Sequence, residues 1–105
     1  MSMPSISYST ILAAMKKRQQ IICVYQGFHR ELCVHTIGHK SGKEKILAFQ
    51  FAGESSKGIP PGGEWRCMFI DDIAEILVKD GAWYTRDNHT KEQTCVDQVE
   101  FEVFP

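Results

Sequence analysis

Two arginines in this 105-residue sequence each follow a turn or loop beside an aromatic residue: Arg30 two positions after Phe28, and Arg66 directly after Trp65. A guanidinium presents a planar fork of donors that matches phosphate oxygens, and a neighbouring ring offers a face on which a base can stack. The two arginines therefore point to a phosphate-bearing ligand. A second arrangement fits the same residues: Arg66 paired with Glu64 or Asp71, and Trp65 packed into the core. At the level of the sequence both stay open.

"CVHTIGH", residues 33–39, sets Cys33 and His35 on one strand face with His39 beyond, which is the beginning of a metal site. Zinc takes four ligands, or three and a water, and no second cluster supplies the remainder. A nucleophilic pair of Cys33 with His35 or His29 fails on distance, because alternate strand residues point the same way about 7 Å apart. No Asn or Asp orienter and no Gly-rich oxyanion turn stands nearby. The Gly/Pro loop before Trp65 lacks the Gly-Lys-Ser/Thr end of a P-loop. The expectation is a binding protein and not an enzyme, with no catalytic residue, no metal and no cofactor.

These side chains need elements to hold them. "SYSTILAAMKKRQQ" predicts a helix over about residues 8–19, with Tyr8, Ile11, Leu12 and Met15 on one stripe of a 3.6-residue period. Ser7 or Ser9 can cap it, and Lys16, Lys17 and Arg18 fall in the last turn, where cations suit the dipole. The period then changes to two. "QIICVYQ" and "RELCVHTI" predict a hairpin over about residues 20–37, joined by the three-residue loop "GFH". Placing Gln26 opposite Arg30 puts Ile22 with Val34 and Val24 with Leu32 on an apolar face. Ile21–His35, Cys23–Cys33 and Tyr25–Glu31 then share the other face. That second, mixed face suits cover by a helix or a ligand, which adds Tyr25 and His35 to the candidate ligand residues Arg30, Arg66 and Trp65.

"KILAFQFAG" is a third strand, and about residues 53–64 form a Gly/Pro/Ser loop of the kind that carries function. "EWRCMFI" is a fourth strand, "DDIAEILVKDG" fits a helical turn or a fifth strand, and "AWYTRD" fits a short strand or an extended arm. "CVDQVEFEVF" predicts a strand over about residues 95–104, with Val99, Phe101 and Val103 on one side and Glu100 and Glu102 on the other. One N-terminal helix followed by about five to seven short strands predicts a single, mainly β domain, a small twisted barrel that hides its edges by partial closure.

Composition sets the bounds. Hydrophobic residues are 43% and charged residues 24%, an ordinary globular balance. No apolar run approaches the roughly 20 residues of a membrane span, and "MSMPSISYS" has neither part of a signal peptide, so a cytoplasmic location is expected. A formal net charge of −1 argues against indiscriminate nucleic-acid binding, yet the charge is uneven: residues 1–57 carry eight Lys/Arg against three acids, and residues 58–105 carry four against ten. Cys23, Cys33, Cys67 and Cys95 show no CxxC spacing and are expected to be free thiols.

"ILAAMKKRQQIICVYQGFHRELCVHTIGHKSGKEKILAFQ" followed by "WRCMFIDDIAEI" resembles the WYL domain, a bacterial Sm-like barrel. The likeness covers roughly residues 9–77. Tyr25, Gly27 and Arg30 match the family's Tyr-Gly-Arg strand pattern, and Arg66, Met68, Ile70, Asp71 and Ile73 match its later arginine-rich strand. The chain keeps only Leu47 of the Trp-Tyr-Leu signature, with Lys45 and Ile46 in place of the aromatics, and departs again at Phe69 and Asp72, where the later strand has further arginines. The resemblance implies a helix-first Sm-like barrel and a regulatory sensor module for nucleic acid or a nucleotide-type ligand. Such domains are usually fused to a helix-turn-helix; with one short helix, this chain is expected to be a divergent stand-alone member. The alternative is a protein-interaction or assembly barrel with no small ligand, pairing with a partner or a second copy through "VEFEVF".

Overall fold

The computed structural model describes residues 4–54, 63–84 and 95–103. In chain order these form α1 (Ile6–Lys16), β1 (Gln20–Tyr25), β2 (Phe28–Lys40), β3 (Lys43–Gly53), β4 (Glu64–Phe69), a 3₁₀ turn (Ile70–Asp72), β5 (Ile73–Lys79) and β6 (Gln98–Glu102). The chain is therefore mainly β with one N-terminal helix and, among the described residues, six antiparallel strands in one sheet.

The helix buries the stripe its period predicts: Tyr8, Ile11 and Met15, joined by Ala14, while Leu12 packs partly buried beside them. It begins earlier than expected. Ser5, and neither Ser7 nor Ser9, is the cap, its hydroxyl accepting from the Tyr8 N–H at 3.1 Å. Glu44 holds that cap in turn, accepting from both the Ser5 N–H and the Ser5 hydroxyl. A carboxylate from β3 thus fixes where the helix starts, a long-range contact that local spacing does not reveal.

The first hairpin differs from expectation in its turn. Gln26 and Gly27 both have positive φ (53° and 78°), which makes a two-residue type I′ connection in place of the loop "GFH". Ser41 and Gly42 repeat the same pair of angles between β2 and β3. The tighter turn pairs Ile21 with Leu32, Cys23 with Arg30 and Tyr25 with Phe28. Every face assignment in β1 is thereby reversed, because side chains alternate with a period of two. Ile21 and Cys23 enter the core, while Ile22 and Val24 turn outward.

The sheet runs β4-β3-β2-β1-β5, with β6 pairing with the distal half of β2. Its two end strands, β4 and β5, are joined only by Ile70–Asp72. Three residues reach about 10 Å at most, so the sheet curls until its ends meet. Tyr25 on β1 reaches the backbone of Phe69 across this seam. The outcome is the small twisted barrel expected from the element count. The buried stripe of α1 packs on the barrel's interior side chains, Leu32, Val34, Ile37, Ile46, Ala48, Met68 and Ile70, to form one core.

The expectation of four free thiols is corrected. Cys67 on β4 is disulfide-bonded to Cys95, their Cα atoms 5.6 Å apart, whereas Cys23 and Cys33 are free and buried. The free pair does not face across the ladder: Cys23 lies in the interior core, and Cys33 lies on the outer face against Ala82 and Tyr84. Among the described residues no helix is long and apolar enough to cross a membrane.

Candidate functional site

The five candidate residues divide between the two faces of the sheet. Trp65 and Arg66 are neighbours on β4 and so point to opposite sides. Trp65 pairs with Phe49, and Arg66 with Ala48, whose methyl is in the interior core. On the outer face His35 is fully buried, 4.8 Å from the Trp65 ring and 4.9 Å from the Trp83 ring, and Phe49 lies 5.2 Å from Trp65. The His35 Nδ1–H donates to the Cys33 carbonyl at 2.9 Å. This cluster is a second small core under residues 82–84. Trp65 is committed to it, so the expected base-stacking partnership of Trp65 with Arg66 does not form.

Arg30, opposite Cys23, and Arg66, opposite Ala48, share the interior face of the sheet with Tyr25. Arg30 is only 3% exposed. Its Nε donates to the Tyr25 carbonyl at 3.3 Å and an Nη donates to Gln50 Oε1 at 3.2 Å. Its guanidinium carbon lies 5.0 Å from the Tyr25 ring centroid and 5.9 Å from that of Phe28, within cation–π range. All these partners are neutral. Among the described residues no carboxylate lies within ion-pairing distance of Arg30. Burial lowers its pKa, and the charge of Arg66 lowers it further.

Arg66 is the more accessible of the two and lies 2.8 Å from Glu64, its neighbour two positions away on the same face of β4. Tyr25 has its pKa raised by burial and by the Asp72 charge, against the opposing pull of Arg30 and of a hydrogen bond from the Phe69 backbone. Cys23, opposite Arg30, is pushed up to about 11 because burial outweighs the nearby guanidinium.

Gln50 was not among the sequence candidates. It is fully buried, and its Nε2 donates to the carbonyls of Ala52 (3.2 Å) and Glu54 (3.0 Å), which turns its Oε1 toward Arg30. The signal is present in "LAFQFAG": an amide in an apolar strand must be satisfied internally, and so usually orients something.

A cleft of about 300 Å³ between the start of α1 and the β2–β3 turn, lined by Ser5, His39, Lys43, Glu44 and Asp71, contains none of the candidates. Its Glu44 carboxylate is already engaged in capping the helix. Among the described residues no group of three or more His, Cys, Asp or Glu side chains is placed to hold a metal ion. Most of the loop expected over residues 53–64 lies outside the described residues. Comparison with models of known families, with curated proteins and with solved structures finds no match for this chain.

Proposed function

We propose that this chain is a ligand-binding regulatory module whose ligand carries phosphate, either a nucleotide or a short single-stranded nucleic acid. The observation that supports this is Arg30: a buried guanidinium with no carboxylate partner among the described residues, placed beside a second arginine. Holding a cation out of water costs several kcal/mol unless a counter-charge compensates it. An anion that displaces Glu64 from Arg66 would meet the field of both arginines, with Gln50 and the Tyr25 carbonyl keeping Arg30 in place. Trp65 and His35 belong to the packing in this reading and leave the site.

Kinship with the WYL domains belongs to the same proposal, with a bacterial, cytoplasmic setting. Its support is the helix-first strand order and the placement of Tyr25, Gly27 and Arg30 around one tight turn. Fluorescence anisotropy of short labelled single-stranded DNA and RNA, at two salt concentrations, tests the function. Binding should weaken with salt, and Arg66→Ala should both weaken it and reduce the salt slope by about one. Absence of binding at high micromolar protein in low salt overturns the proposal.

A further inference from the structure

β6 sits in a place built to receive it. Its partner residues on β2 run from Thr36 to His39, with a register shift that leaves Glu100 as the extra residue. The Tyr8 hydroxyl donates to Glu100, and the Thr36 hydroxyl donates to Glu102 at 2.8 Å. At its two ends the Asp97 N–H donates to the His39 carbonyl (3.0 Å) and the Val103 N–H to the His35 carbonyl (2.7 Å). Gly38 has no positive φ to explain it. A Cβ there would fall 1.9 Å from the Gln98 carbonyl oxygen, so the missing side chain is what lets the β6 backbone approach.

Part of the strand faces solvent. Gln98, Val99 and Glu100 are exposed, and the buried anchors are Val96 and Val103 at either end. Besides its hydrogen bonds and Phe101, which packs partly buried against the core, a covalent link holds it: Cys95 is bonded to Cys67, which is exposed on β4 and open to a reductant.

We propose that the β2 edge at Thr36–His39 is an exchangeable strand site, and that reduction of the Cys67–Cys95 disulfide lets two copies of this chain swap Val96–Val103. A dithiol reductant supplies two electrons and two protons; the sulfur–sulfur bond becomes two thiols and the reductant becomes a disulfide. The swapped strand makes in the second copy the same contacts it leaves in the first, so the exchange opposes only the entropy of association. The edge is specific because it needs glutamates to accept from Tyr8 and Thr36, and a backbone that fits over Gly38. This inference is independent of the arginine site.

The test uses the full chain, oxidised, reduced with dithiothreitol, and as the Cys67→Ser/Cys95→Ser variant, with a fluorescein-labelled peptide of sequence VDQVEFEV. Light scattering should show the oxidised chain as a monomer at every concentration, and the reduced and doubly substituted chains as monomers when dilute that convert to dimers as concentration rises. The peptide should bind the latter two at least tenfold more tightly than the oxidised chain and dissolve their dimers. A peptide with both glutamates replaced by glutamine should bind at least fivefold more weakly, a control that leaves the protein's own folding untouched. Gly38→Ala in the doubly substituted background should abolish peptide binding. A reduced chain that stays monomeric and ignores the peptide overturns the proposal. So does equal peptide binding to the oxidised chain, or loss of the far-ultraviolet circular dichroism signal on reduction.

Discussion

A guanidinium surrounded by carbonyl, amide and aromatic groups is poorly compensated, and that makes Arg30 separable from the fold. Arg30→Met keeps much of the side-chain volume and removes the buried charge. Replacing buried ionic groups by apolar ones of similar size is often neutral or stabilising. The unliganded variant is therefore expected within about 1 kcal/mol of the parent, or above it, by urea denaturation. A loss of several kcal/mol would make Arg30 a structural cation. The thiols give a second residue-scale prediction. Burial pushes both Cys23 and Cys33 up from 9.0 to about 11. The folded chain thus keeps these protons longer than the unfolded chain. The stability they contribute is fully present below pH 9 and is lost as pH rises through about 11, by roughly 2–3 kcal/mol per thiol. The urea midpoint should fall across that window, and Cys23→Ala should remove part of the fall; an equal fall in the variant would remove the thiol from the explanation.

At the scale of elements, the helix stripe, the strands and their order of appearance were legible because each rests on a local period. The first hairpin was not. Reading "GFH" as its loop placed Gln26 opposite Arg30, whereas the chain turns at Gln26-Gly27, and that shift exchanged the inside and outside of β1. The missed clue is Gly27, which suits the second position of a type I′ turn. Arg30 and Arg66 are legible as candidates, whereas alternation along β4 and β2 sends the other candidates Trp65 and His35 to the outer cluster. Cys67–Cys95 joins positions 28 residues apart and follows only from the curl of the sheet. Gln26 still occupies a left-handed position, at φ 53°, that asparagine fills more readily. Gln26→Asn should raise stability by about 0.5–1 kcal/mol in chemical denaturation, with ligand affinity unchanged; a destabilised variant would contradict the turn assignment.

Across the whole molecule, the fold sets Arg66 of β4 close enough to Arg30 of β2 to lower its pKa, although 36 positions separate them in the chain. Glu64 offsets the charge of Arg66, so the uncompensated positive charge here is that of buried Arg30. An anion meets both arginines only by displacing Glu64, which makes the attraction selective rather than indiscriminate. The most direct measurement is the shift in urea midpoint caused by a saturating short single-stranded oligonucleotide, for the parent chain and for Arg30→Met. At a ligand concentration of about 100 times Kd the parent should gain about 2.7 kcal/mol, and Arg30→Met, folded and no less stable on its own, should gain almost nothing. A parent chain that the oligonucleotide leaves unmoved, or a variant that gains as much as the parent, would contradict a phosphate site at Arg30 and Arg66.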